Sequence, residues 1–343
     1  MEREKGGLDG LIIYSTTIKP AVYMKNLNTG NTEMLLERTE NTGDFGITVN
    51  PSFDQMVYSI REITSDNRIN ITTEKDSQFY LMDLETRTSK PLTGKLVEPD
   101  FFSKELIKYK AKVSNEEIPV MGTNPAWSPD GSKLAYTKVS FPEIGVQDLY
   151  VYDFEKKEIR PLAYNIHFDM NPQWASDSKT IIYETNEGLP GDGFVRDWYS
   201  NFRNFSFNLD KSSGELFSEI KGVVAEIDEY VFVLEDTLNG FIKYDIAREV
   251  SEPVFFYQTE DTTLISRVHK QLDSDEKVLL TFSLFEEFTD RPWLGSTHWE
   301  EYIGFYDFKE KRFIKLETFT KAKYINNIFW KDLPNTARGN NYF

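Results

Sequence analysis

Asn124-Pro-Ala-Trp-Ser-Pro-Asp-Gly-Ser-Lys-Leu-Ala-Tyr-Thr137 decides how the chain is read. It divides into a short strand (Pro125 to Trp127), a tight turn and a second strand (Lys133 to Thr137). Pro129 presets φ at the first corner, the Asp130 carboxylate folds onto nearby amides, and Gly131 supplies a positive φ. The phrase recurs as Asn171-Pro-Gln-Trp-Ala-Ser-Asp-Ser-Lys-Thr-Ile-Ile-Tyr183 and, shortened, as Asn50-Pro-Ser-Phe-Asp-Gln-Met-Val-Tyr58.

A second phrase follows each copy, two alternating strands around a polar turn, clearest in Leu149-Tyr-Val-Tyr-Asp-Phe-Glu-Lys-Lys-Glu-Ile-Arg-Pro-Leu162. With Asp153 as marker, equivalents stand at Asn26, Asp83, Asn208, Asp245 and Asp307, which makes six units. Their spacings of 57, 70, 55, 37 and 62 residues suit one four-stranded propeller blade plus loops. Period-2 alternation points to antiparallel sheet, and the best helical stretch, Ser103 to Val113, lies in a connector. Pro91, Pro161 and Pro253 fall at matching places in the fourth strand of their units, where an outer edge tolerates a residue without an N–H.

The expected fold is all-β: a single six-bladed β-propeller over residues 1–343, with four antiparallel strands, a to d from the axis outward, in each blade. Gly7 to Thr16 matches only the second half of the opening phrase, and its missing half reappears in Tyr324-Ile-Asn-Asn-Ile-Phe-Trp330. Blade 1 is therefore 8–37 completed by 325–330, so that the C-terminal strand closes the ring. The alternative, an unrelated strand at the C-terminal end, stays open on the sequence. Blades 2 to 6 are 48–93, 124–162, 171–218, 223–257 and 264–317.

A net charge of −17 argues against nucleic acid, and hydrophobic residues at 39% without a long apolar run argue against a membrane-spanning helix. The absence of cysteine removes disulfides and thiol chemistry. Met1-Glu-Arg-Glu-Lys-Gly-Gly is too polar for a signal peptide, so the expectation is either a cytoplasmic chain or an exported one already trimmed.

Asn124 to Thr137 followed by Leu149 to Leu162 resembles the TolB-type, WD40-like (PD40) propeller repeat, most closely in blade 3, then blades 4 and 2. The resemblance implies a six-bladed propeller, usually periplasmic or at the bacterial cell surface, that binds other proteins. Related propellers also occur in prolyl-oligopeptidase-type peptidases and some polysaccharide lyases. The chain departs from TolB in showing no separate N-terminal α/β domain, which weakens a Tol-complex role, and it shows no hydrolase domain for a peptidase.

The a–b and c–d turns are short, whereas the long insertions, 62–77, 94–123, 186–203 and 286–300, all join b to c or d to the next a. They belong to one face, where a binding site is expected. Arg196, Asp197, Trp198, Tyr199 and Phe202 in one loop, and Arg291, Trp293, His298 and Trp299 in another, combine the residue types that dominate binding hot spots. Either they contact a ligand, or the tryptophans fold inward to anchor their loops. Phe101 and Phe102 pin the longest connector or join the same surface.

No serine elbow, phosphate loop or zinc-protease motif is present, and the three histidines, His167, His269 and His298, lie in different units, so no catalytic residue is assigned. No cofactor is expected, although acidic residues such as Asp192, Asp273 and Asp275 leave room for a structural calcium ion. Two functional readings remain. The first is a non-catalytic module that binds a protein or peptide in an extracytoplasmic bacterial system. The second is a carbohydrate-binding or carbohydrate-active propeller that uses Trp198, Trp293 and Trp299.

Overall fold

In Lys133-Leu-Ala-Tyr-Thr137 and Leu149-Tyr-Val-Tyr152 both alternating sets of side chains are apolar or aromatic, the pattern of strands packed on both faces. The computed structural model describes the backbone of residues 10–16, 21–27, 29–37, 42–64, 73–74, 77–97, 116–141, 146–166, 172–175, 177–185, 203–211, 213–218, 223–227, 230–235, 240–245, 250–256, 263–271, 277–286, 298–307, 312–318 and 325–331, and the side chains of 10–16, 21–27, 29–37, 45–60, 77–97, 116–138, 147–163, 172–175, 177–183, 206–211, 329 and 331. Among these residues every regular element is a β-strand. The stretch 103–113 lies outside them. The chain divides into two compact units, Met1–Thr39 with Leu234–Phe343, and Glu40–Val233.

In the first unit β1 (Leu11–Thr16) and β2 (Ala21–Asn26) are followed by β3 (Thr32–Glu37). The second unit contains three antiparallel meanders. One is built from β4 (Thr42–Val49), β5 (Gln55–Thr64), β7 (Ser77–Asp83) and β8 (Ser89–Pro91), with β6 (Thr73–Glu74) folded back on the end of β5. After β9 (Thr93–Leu96) and β10 (Ile118–Pro119) come β11 (Met121–Trp127), β12 (Lys133–Phe141), β13 (Val146–Asp153) and β14 (Glu158–Ile166). The third is β15 (Gln173–Trp174), β16 (Thr180–Thr185), β17 (Arg203–Asn208) and β18 (Ser213–Ser218), after which β19 (Val223–Ile227) pairs with β20 (Tyr230–Glu235).

Returning to the first unit, β21 (Gly240–Asp245) pairs with β22 (Val250–Phe256). β23 (Thr263–Gln271), β24 (Lys277–Glu286), β25 (His298–Asp307) and β26 (Arg312–Thr318) form a meander. β27 (Ile325–Lys331) lies antiparallel to β1, so this sheet runs β27-β1-β2-β3 and the C-terminal strand joins the N-terminal one as expected.

The two faces of the β12–β13 hairpin supply two cores. Leu134, Tyr136 and Tyr152 join Val57, Phe79, Leu81 and Trp127 on one side. Ala135, Leu149 and Val151 join Leu162, Ile181, Tyr183 and Phe207 on the other. Cross-strand tyrosines repeat from sheet to sheet: Tyr14 stacks on Tyr23, Tyr58 on Tyr80 and Tyr136 on Tyr150, with ring centroids 5.4 to 5.6 Å apart.

The short turns explain the polar punctuation of the sequence. At the a–b turns Phe53, Gly131 and Ser178 carry positive φ, and Ser128 N–H donates to the Lys133 carbonyl as Asn50 N–H does to Gln55 and Ala175 N–H to Thr180. At the c–d turns the marker residue caps the corner: Asn26 accepts from Thr29 N–H, Asp83 from Glu85 and Thr86, Asp153 from Glu155 and Lys156, and Asn208 from Asp210 and Lys211. Four positions on, Gly30, Arg87 and Lys157 adopt positive φ.

The outer strands share a feature that the sequence reading did not isolate. Their pairing with the third strand skips one residue, Leu35, Leu162, Phe217, Val254 or Leu316, and Leu92 directly after β8 takes the same place. Each lies nine positions beyond its marker. Leu92 and Leu162 are buried, so the bulge turns an apolar side chain into the core. Pro91, Pro161 and Pro253 immediately precede it, opposite Tyr80, Tyr150 and Ile242.

One expected alignment needs correction. Asn50-Pro51 does not open a shortened strand equivalent to Asn124-Pro125; it occupies the turn, at the place of Ser128-Pro129. Asn50 Oδ1 accepts from Asp54 and Gln55 N–H, the work Ser128 Oγ does for Lys133 N–H, and this shift brings Tyr58 into line with Tyr136 and Tyr183.

Candidate functional site

The strands of the second unit have two kinds of end, one closed by short turns and one opening into the long connections. At the turn end the polar groups satisfy one another. Asp130 accepts from Ser128 Oγ at 2.6 Å and from Ser132 N–H at 2.9 Å, and Asp177 accepts from Lys179 and Thr180 N–H at 2.8 Å. Partial burial opposes ionisation of both carboxyls, but these hydrogen bonds outweigh it and hold them below the ordinary 3.8. Asp83 is lowered by the Thr86 amide and hydroxyl.

The repeated tryptophan binds neighbouring sheets at this end. Trp127 stacks on Phe154 with centroids 4.7 Å apart, its Nε1 donates to the Gly131 carbonyl, and its backbone N–H donates to Thr48 Oγ1 in the preceding sheet. Trp174 Nε1 donates back to the Ala126 carbonyl, and Asp130 N–H to Ser178 Oγ.

The loop end of the β11–β14 sheet holds a buried polar node. Thr123 Oγ1 and Thr137 Oγ1 are 3.0 Å apart, and Asn124 Nδ2 donates to Thr137 Oγ1 at 3.3 Å. Asn124 sits at the irregularity between β11 and β12 with φ of 51°, a conformation asparagine tolerates better than most residues. Gln147 and Asp148, at the start of β13, are buried beside this end. In the β4–β8 sheet the hydroxyl corresponding to Thr137 is Ser59, opposite Gly46; it is fully buried, without a hydrogen-bond partner among the described residues, and a Cβ on Gly46 would lie 2.9 Å from its oxygen. These groups lie at the ends of strands from which the long connections of the sequence depart. The sequence reading missed them, although an asparagine three residues before tryptophan, at 124, 171 and 327, was the signal.

The predicted contact residues fall mostly elsewhere. Arg196, Asp197, Trp198, Tyr199, Phe202, Arg291, Trp293, Phe101 and Phe102 lie outside the described residues. His298 and Trp299 begin β25, opposite Glu286 and Phe285, so the backbone of both belongs to a strand and not, as expected, to the loop. Trp299, Tyr302 and Ile303 are strong β-formers, and the β24–β25 ladder runs on unbroken to His298, further than turn composition suggested. Among the described residues no group of three acidic or histidine side chains could hold a metal ion, and no helix is long and apolar enough to cross a membrane.

The connector after β8 follows the outer rim at both described ends. β9 adds to β14 in parallel, with Lys95 N–H donating to the Lys157 carbonyl, and β10 pairs back on β9. Tyr152 Oη donates to the Thr93 carbonyl at 3.0 Å, and Thr93 Oγ1 donates to Glu117. Burial first, then the charges of Glu117 and Asp153, push the Tyr152 phenol up to about 12.

No protein-family model matches the chain, and no curated protein matches it. Among solved structures it is similar to TolB from Acinetobacter baumannii, at 12% identity over 95% of this chain and 67% of that one, with a TM-score of 0.56. A putative TolB from Agrobacterium tumefaciens matches 90% of this chain and 88% of its own, at 11% identity and a TM-score of 0.49. The meanders, their outer prolines and the first of these likenesses agree on one architecture: the chain has the fold of a TolB-like β-propeller.

Proposed function

We propose that the protein is a non-catalytic binding module that recognises a protein or peptide with the connections at the loop end of its strands. The observation that carries this reading is the asymmetry of the two ends. In the second unit the described short turns close with their own hydrogen bonds, whereas at the other end of its strands the chain leaves at Thr64 and Thr185 for long excursions; within the first unit it leaves β24 at Glu286 for another. Rigid strands beneath variable loops are the usual setting of a binding site. Arg196, Trp198 and Tyr199 in the second unit, and Arg291, Trp293 and Trp299 in the first, supply the aromatic and guanidinium groups for contacts with a partner. The TolB resemblance adds an extracytoplasmic bacterial setting, which cell fractionation tests.

The decisive experiment is a pull-down from an extract of the source organism, read by mass spectrometry, with wild-type protein and a Trp198→Ala/Trp293→Ala variant of equal Tm as baits. A protein retained by wild type and lost from the variant supports the reading. Identical recoveries overturn it.

A further inference from the structure

An outer β-strand leaves one row of backbone donors and acceptors unpaired. Three outer strands of this chain carry a proline opposite the third strand, at Pro91, Pro161 and Pro253. Proline tolerance means that the N–H at this position is not needed by the inner neighbour and faces outward. β14 demonstrates what an outer strand does when a segment reaches it. β9 adds in parallel, and among the described residues the pairing runs to Ile159, where Val97 N–H donates to its carbonyl, two positions before Pro161.

β3 carries no proline at this place. The residue opposite Tyr23 is Met34, at the same distance from Asn26 as Pro161 from Asp153, so the outward N–H is present. Met34 is 47% exposed, the most exposed large apolar side chain among the described residues. Within those residues no strand lies beyond β3 in its sheet. Glu33 and Glu37 occupy the same strand of a chain whose net charge is −17.

We propose that β3 is a strand-addition site, taking an extended, basic segment of a partner protein with alternating apolar residues as a further parallel strand. Main-chain hydrogen bonds along Thr32–Glu37 hold the segment, Met34 provides the apolar contact, and the carboxylates select its charge. This surface is separate from the loops of the function proposed above and does not depend on them.

The test uses the full chain and a fluorescein-labelled Lys-Val repeat octapeptide, with the Glu-Val repeat as control. Wild type binds the basic probe saturably and not the acidic one. Met34→Pro, which installs the residue that three other outer strands accommodate, weakens binding about tenfold or more at unchanged Tm, the loss of one or two hydrogen bonds. Met34→Lys, which copies Lys315 at this place in β26, also weakens it and serves if the proline variant does not fold. Trp198→Ala/Trp293→Ala binds the probe like wild type. Probe binding must slow amide exchange in β3. Equal affinity of the folded variants, protection of another strand, or dimerisation of wild type through this edge overturns the proposal.

Discussion

Trp127 shows how one side chain serves two sheets. Its ring lies within 7° of parallel to Phe154, its Nε1 closes the turn onto Gly131, and its amide reaches Thr48 of the neighbouring sheet. Trp127→Ala removes the stack, the turn bond and a buried ring together, and loses about 3–5 kcal/mol in urea unfolding. Trp127→Phe keeps an aromatic on Phe154 and loses the indole bond alone, about 1 kcal/mol. Tyr152 offers a test in alkali. The unfolded chain releases this proton near the ordinary 10.0, whereas the fold holds it to about 12. The stability it contributes is therefore complete below pH 10 and is lost as pH rises from there towards 12. Tyr152→Phe is expected to flatten that decline in Tm while weakening the connector, whose Thr93 carbonyl loses its donor.

At the scale of elements, β9 is fixed by the absence of one carbon atom. A Cβ on Gly94 would stand 2.8 Å from Tyr152 and 2.9 Å from the Lys157 carbonyl, and the latter is backbone that cannot move aside. Gly94→Ala is expected to detach β9 from β14 at about 1–3 kcal/mol, with faster amide exchange at Lys95 and Val97 and little change in the inner strands. Little of this was legible in Thr93-Gly-Lys-Leu96 or Ile118-Pro119, because two short polar segments signal a strand only through partners distant in sequence. The meanders were legible for the opposite reason. Their turns need Asx caps, positive-φ residues and edge prolines at fixed spacing, and those requirements are local. The misplaced Asn50-Pro51 marks the limit: the same dipeptide suits a turn corner and a strand entrance, and only Tyr58 fixes the register. The candidate contact residues carried no comparable local rule, since aromatic loops look alike whether they bind or fold inward. The turn carboxylates make one further prediction. Asp130 and Asp177 titrate lower in the fold than unfolded, so their contribution is complete above about pH 4 and is lost as pH falls further. Tm measured from pH 7 down to about 2 should fall less steeply in Asp130→Asn/Asp177→Asn than in wild type.

For the whole molecule the informative contact joins residues more than 300 positions apart. β27 pairs with β1 from Leu11↔Lys331 to Thr16↔Ile325, and it supplies the strand that the first sheet lacks in its own stretch of sequence. Ile12 and Ile13 are almost fully buried in that sheet, and removing a neighbouring strand exposes both their side chains and a row of backbone groups. Closing so distant a contact is entropically slow but adds little to the thermodynamic penalty, because loop-closure entropy grows only logarithmically with length. Deletion of residues 325–343 is therefore expected to lower Tm by more than about 10 °C or to leave an aggregating chain, whereas deletion of 332–343, which spares β27, leaves Tm within a few degrees of wild type. Thermal unfolding followed by circular dichroism, with size-exclusion chromatography of the unheated proteins, distinguishes the outcomes. Equal melting of the two truncations would show that β1–β3 hold without their fourth strand, and that the pairing of the chain ends follows folding of the sheet and does not support it.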